Sequence, residues 1–257
     1  MVTARPLHIL AYDFKVFKKA WRGVLFISVL SPLLYLGAMG LGLGGLLRSG
    51  NHTVDGVSYL RFIAPGLLAT TTMQTAVAET SYPIMARLQW NRIYEATLNT
   101  PMGAGDVMLG EMLWLVLRLT GVGVVFVAVA AAFGGVPSWQ AVLAIPVATL
   151  AGMAFGTPVF ALSARLRSDN AYNAINRFIV IPLFLLGGAF FPIGQLPRVL
   201  QGIAWSTPLT HGVALCRDLF LGRAGMPSAL AHLAVMLAYT AAGLAAARIT
   251  FWRRVVV

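Results

Sequence analysis

Leu7, Leu10, Phe14, Phe17 and Trp21 recur at steps of three and four, while His8, Asp13, Lys15, Lys18 and Lys19 fill the faces between them. That spacing predicts an amphipathic helix over residues 6–22 with a single apolar stripe. Trp21 and the lysines suit it to lie in a membrane interface; the alternative is that it is the frayed start of the first span. Six longer apolar runs follow, at 23–47, 60–86, 107–133, 140–164, 171–191 and 228–250. Each offers about 20 or more mainly apolar residues, enough for a helix to cross a ~30 Å hydrocarbon layer at ~1.5 Å per residue. The pattern predicts one all-α integral membrane domain over 1–257, with six transmembrane helices and an N-terminal interfacial helix. The fifth run is the shortest, because its strongly apolar part, 178–191, reaches only ~21 Å as a helix. It has to take in the polar turn around Asn173 and Asn176.

Two connecting segments do not read as ordinary loops. Residues 192–227 are too apolar for an exterior loop, and Pro192, Pro197, Pro208 and Pro227 forbid a single helix through them. Leu196, Val199, Leu200 and Ile203 still form a helical stripe, so the expectation is a re-entrant helical hairpin entering the outer leaflet and returning. In the link 87–106, Trp90, Ile93, Tyr94, Thr97 and Leu98 fall on one face of a short helix, with Asn91, Arg92, Glu95 and Asn99 off that face. Pro101, Gly103 and Gly105 end it, and Asp106 stands as an N-cap for the next span. A short amphipathic helix joined stiffly to two spans suits a lever driven by a soluble partner; it equally suits an interfacial loop helix.

Composition reinforces the membrane reading. Of 257 residues, 58% are hydrophobic and 11% charged, with a mean hydropathy of +0.79. Soluble domains carry about 25% charged residues. Nineteen Lys and Arg against eight Asp and Glu give a net charge of +11. In a soluble chain that excess would point to nucleic acid; here it belongs to cytoplasmic loops, and no nucleic-acid partner is expected. With both termini in the cytoplasm, thirteen basic residues fall in inner segments and five (Arg48, Arg61, Arg198, Arg217 and Arg223) in outer ones. Arg118 lies within span three. The bias predicts an even number of spans with N and C termini inside. The first twenty residues, with Asp13, Lys15, Lys18 and Lys19, do not read as a cleavable signal.

Few residues carry chemistry. Cys216 is the only cysteine, the four histidines lie far apart in sequence and no HExxH pair occurs, so neither a metal centre nor a catalytic site is expected. Glu79 lies inside span two, where an unpaired acid costs about 2.5–3.5 kcal/mol, so it faces protein or water. It either lines a pathway or is a structural acid bonded to Ser81 or a neighbouring helix. Glu111 and Arg118 stand seven apart on one face of span three and read as a structural pair, with Glu111 near the cytoplasmic end. His211 reads as a hydrogen-bonded structural residue. Gly37, Gly40, Gly42, Gly44 and Gly45 in the outer half of span one permit close helix contact or local bending.

Three segments together resemble a known family. Val54-Asp-Gly-Val-Ser-Tyr-Leu-Arg-Phe-Ile-Ala-Pro-Gly66 is similar to the opening of span two in type-2 ATP-binding-cassette permeases. Arg87-Leu-Gln-Trp-Asn-Arg-Ile-Tyr-Glu-Ala-Thr-Leu-Asn-Thr-Pro101, continuing through Gly110-Glu111-Met112, resembles that family's coupling region. Phe190-Phe-Pro-Ile-Gly-Gln-Leu-Pro197 with Pro208-Leu-Thr-His211 resembles its outer re-entrant segment. Within the family the likeness is to the nodulation-factor exporters and their drug-exporting relatives. The resemblance implies a permease in a bacterial cytoplasmic membrane, paired with a second copy or a sister chain and driven by two separate ATPase subunits. ATP and Mg would sit in those partners, since this chain has no G-x-x-x-x-G-K-[ST] loop. Trp90, Asn91, Arg92, Ile93, Tyr94, Glu95 and Leu98 would then couple to the ATPase, and Glu79 and Arg118 would be the polar residues within the membrane. The implied cargo is amphiphilic: a lipid-linked saccharide, a glycolipid or a hydrophobic drug. An ion-coupled secondary transporter or an accessory membrane subunit is the alternative, although no internal repeat is evident. The eight acids are too scattered for an intramembrane enzyme.

Overall fold

The computed structural model describes residues 5–43, 54–166, 173 and 176–255. The outer end of the expected span one, with Gly44 and Gly45, and most of the start of span five lie outside these residues. Among the described residues every regular element is helical; the one β-bridge, Val54 to Val57, closes a tight turn in which Asp55 and Gly56 both take positive φ.

Helix α1 runs over Arg5–Tyr35 and continues as a π-helical stretch, Leu36–Leu43. The expected interfacial helix and span one therefore form one element without a break at residue 22. The wider turn spans Gly37, Gly40 and Gly42, where missing side chains let the backbone loosen. Helix α2, Tyr59–Thr80, is the centre of the bundle, with most of its side chains buried. Its threonines would be costly there, but Thr70, Thr72, Thr75 and Thr80 donate to carbonyls three or four residues back. Ser81 breaks the expected span 60–86, with φ −97° and ψ −99°. A single turn, α3 (Tyr82–Met85), and a π-helical turn, Ala86–Trp90, complete it.

The short helix α4 covers Ile93–Leu98. Helix α5, Ala104–Ala132, starts three residues before the expected 107: Asp106 is not its N-cap but folds back to accept from the Gly103 amide at 2.9 Å. A 3₁₀ turn, Trp139–Leu143, leads into α6, Ala144–Ser163. Helix α7, Ile181–Leu186, follows the π-helical turn Asn176–Val180 and stops at Gly187 and Gly188, Gly188 having φ +75°. The described part of span five is thus shorter than expected, because residues 187–191 turn away. The segment 192–227 forms two helices, α8 (Arg198–Trp205) and α9 (Pro208–Phe220), and α10 runs over Met226–Val255.

Among the described residues three elements are long and apolar enough to cross a membrane: α5, residues 139–163 and α10. Helix α2 has the length, but its threonines lower its hydropathy. The buried residues fall into two clusters. One joins α2, α6 and α9 through Phe62, Leu68, Ala148, Leu209 and Phe220. The other gathers Ile9, Tyr94, Met112, Phe160 and Phe251 where the start of α1, α4, the start of α5 and the end of α10 meet. That second end is termed the base.

Candidate functional site: a buried clasp at the base

The base is organised around Arg87, which follows α3 in the π-helical turn. Its Nη2 donates to Asp13 Oδ1 of α1 at 2.5 Å, and its Nη1 donates to Glu111 Oε1 of α5. Tyr94 of α4 donates its phenol to the same Glu111 oxygen at 2.9 Å. Asp13, Tyr94 and Glu111 are 2%, 2% and 4% exposed. The Tyr94 ring also meets Phe251 of α10 edge to face, with centroids 5.4 Å apart, and Phe251 in turn meets Phe160 of α6. One arginine and one tyrosine thus bind the link 87–106 to α1, α5 and α10. Burial works against the Arg87 cation, but the surrounding Glu111 and Asp13 carboxylates more than compensate and raise its pKa. Burial, reinforced by Glu111, pushes the Tyr94 phenol well above its ordinary range, which keeps it a donor. Asp13 Oδ2 has no partner among the described residues.

The expected coupling residues divide between surface and interior. Trp90 is 59% exposed and belongs to the turn before α4, not to one continuous helix over 90–98. Arg92 breaks that continuity with a left-handed backbone, φ +47°. Asn91, Arg92 and Glu95 are exposed, and Ile93 and Leu98 half-buried. The Arg92–Glu95 contact, 3.9 Å between exposed side chains, adds little rigidity. Tyr94, placed by the sequence pattern on the same face as Trp90, instead points into the helix bundle.

Glu79 and Arg118 face one another across α2 and α5, with Arg118 Nε donating to Glu79 Oε1 at 3.0 Å. The expected pairing of Arg118 with Glu111 does not form; each finds a partner on another element. Arg118 also stands over the Phe17 ring at 5.6 Å. A cavity of about 240 Å³ between α2 and α7 is lined by Gln74, Val77, Ala78, Asn176, Val180, Ile181 and Phe184, not by Glu79. Sequence reasoning missed the contributions of Asp13 and Arg87 to the clasp. The available hint was an acid interrupting the amphipathic N-terminal helix. It also missed that His211 and His232, on α9 and α10, bring their Nδ1 atoms to 2.8 Å, with His211 Nε2 3.0 Å from the Trp205 carbonyl.

The chain is 35% identical over 229 residues to Nodulation protein J of Rhizobium leguminosarum bv. viciae, covering 86% of this chain and 85% of that one. It is 35% identical over 212 residues to Nodulation protein J of Rhizobium meliloti, covering 79% and 78%. It is 27% identical over 226 residues to the inner membrane transport permease YadH of Escherichia coli, covering 85% and 84%. No solved structure matches. The sequence profile of the ABC-2 type transporter family matches residues 7–221, and the chain belongs to that family of membrane transport permeases.

Proposed function

We propose that the chain is the permease subunit of an ATP-driven exporter in a bacterial cytoplasmic membrane. In this reading two permeases, identical or sister chains, form the pathway, and two separate ATPase subunits holding ATP and Mg dock on the exposed surface of residues 90–98. The observation that carries the reading is the clasp: a short exposed helix fixed through buried contacts to three long helices. A push on Trp90, Ile93 or Glu95 is then borne by Arg87, Tyr94, Glu111 and Phe251 together. Tyr94 transmits the force without touching the ATPase. Closure of the ATPases on ATP would shift the permease between inward-open and outward-open states.

Other features support the finer parts of this reading. The start of α1, the link 87–106 and the end of α10 share the base. The start of α1, residues 90–98 and the end of α10 therefore share one side, which the basic-residue bias would assign to the cytoplasm. With α1, α2 and the segment through α7 as further spans, the count is six. The α8–α9 pair would be the outer re-entrant hairpin. The cavity with Gln74 and Asn176 among apolar side chains suits an amphiphilic cargo, such as a lipid-linked saccharide, a glycolipid or a hydrophobic drug.

The test is co-purification with the partner ATPase, followed by transport and ATP hydrolysis in reconstituted vesicles. Trp90→Asp and Ile93→Asp are expected to dissociate the complex or to leave ATP turnover without transport. An intact complex with full transport in both variants would overturn the docking surface. Transport by the permease with no ATPase present would overturn the whole reading.

A further inference from the structure

A groove of about 340 Å³ runs along the base between the first turns of α5 and the last turns of α10. Ala104, Gly105, Met108 and Leu109 make one wall; Arg248, Phe251 and Trp252 make the other. The walls are apolar except for Arg248. Leu109 and Trp252 are each 51% exposed, so the groove opens sideways from the bundle. Arg248 is exposed and makes no ion pair with any described residue. Asp106, next to Gly105 of the wall, is engaged by the Gly103 amide. Arg253 and Arg254 follow within two turns.

Both walls belong to helices apolar enough to span a bilayer. The groove therefore lies where such helices leave the hydrocarbon, with an unpaired guanidinium and an indole at its rim. An indole settles at headgroup depth, and basic pockets between spanning helices recognise anionic headgroups. A water-soluble occupant would leave the apolar walls facing lipid unused. We propose that this groove binds an anionic phospholipid, with the headgroup phosphate on Arg248 and an acyl chain running away from the base along the exposed Leu109. The groove shares none of the exposed residues of 90–98, although Phe251 behind its wall also meets Tyr94, and lipid retention is read without the ATPase, so its failure and that of the ATPase surface are distinguishable.

The full-length permease, purified in neutral detergent, is titrated with phosphatidylglycerol or phosphatidylcholine carrying the same dioleoyl chains. Retained lipid is read by native mass spectrometry. The wild type is expected to prefer phosphatidylglycerol. Arg248→Gln should weaken that lipid about five-fold and leave phosphatidylcholine unchanged, while Arg253→Gln keeps the preference. A Cβ at Gly105 meets open space, so Gly105→Leu should fold and reduce retention of both lipids by filling the groove. The proposal is overturned by a wild type without preference, by Arg248→Gln retaining it, by undiminished retention in Gly105→Leu, or by inorganic phosphate displacing the lipid at equal concentration.

Discussion

Arg87 holds two carboxylates with one guanidinium at a place where water scarcely reaches. Asp13 and Glu111 are both buried, so removing the cation leaves two acids without their counter-charge. Breaking a buried pair in this way typically costs about 3–5 kcal/mol, whereas losing one neutral hydroxyl donor costs about 1–3 kcal/mol. Arg87→Gln should therefore destabilise the permease clearly more than Tyr94→Phe, which keeps the ring against Phe251. Unfolding of both variants in the same detergent, followed by near-ultraviolet circular dichroism, measures the difference. Equal losses would mean that Arg87 does not bear the clasp. None of this pairing was legible in the sequence, because Asp13, Arg87, Tyr94 and Glu111 belong to four elements and only the fold sets their distances. Glu79 was readable as an acid that needs company, but not that Arg118 supplies it, since the spacing of Glu111 and Arg118 suggested a different pair.

Helix crossings turn on small residues, and α6 against α10 is the clearest case. A Cβ on Gly243 would stand 2.2 Å from Thr157 Oγ1 and 2.6 Å from Pro158 Cδ. The Thr157 hydroxyl is already engaged, donating to the Met153 carbonyl at 3.0 Å, and Pro158 is a rigid ring. Gly243→Ala should cost about 1–3 kcal/mol by forcing the two helices apart. Gly202 in α8 meets nothing within 4 Å, so Gly202→Ala should instead gain up to about 1 kcal/mol from helix propensity. Opposite shifts in unfolding temperature check the pair; a common sign would contradict the crossing. The apolar runs 107–133, 140–164 and 228–250 overlap the helical elements Ala104–Ala132, residues 139–163 and Met226–Val255. The same runs did not reveal the break at Ser81, the stop at Gly187, or the left-handed Arg92 that separates Trp90 from α4. Hydropathy reports which solvent a segment prefers, and these breaks are decided by backbone torsion at single residues.

Among the described residues the two buried clusters meet within α2 and α6, at Ala76 and Val77 and between Met153 and Phe160, and α9 packs against the part of the first cluster that lies away from the base. The Cys216 thiol lies 3.7 Å from the carbonyl of Ala144 at the start of α6, whereas Gly212, one turn earlier, abuts Ala151 at the middle of that helix. Helix α9 therefore starts deep and rises. Its preceding corner is deeper still: Ser206 accepts from the Tyr239 phenol at 2.7 Å, and Tyr239 lies thirteen residues into α10, about 20 Å along its axis. Ser206 is nevertheless exposed on the isolated chain, as is Arg223 beyond α9. If lipid surrounds the bundle, equal exposure on the chain becomes unequal exposure to water, because the corner sits at hydrocarbon depth and Arg223 does not. In a background with Cys216 replaced by Ala, a membrane-impermeant maleimide added from outside should label Arg223→Cys rapidly and Ser206→Cys at least about ten times more slowly in intact membranes, since thiols within hydrocarbon are out of reach of such a reagent. Detergent extraction should narrow the gap by exchanging the bilayer for a mobile micelle. Equal rapid labelling at both positions in membranes would mean that 192–227 stands clear of the lipid, and that the descent of the chain beside α10 takes place outside the bilayer.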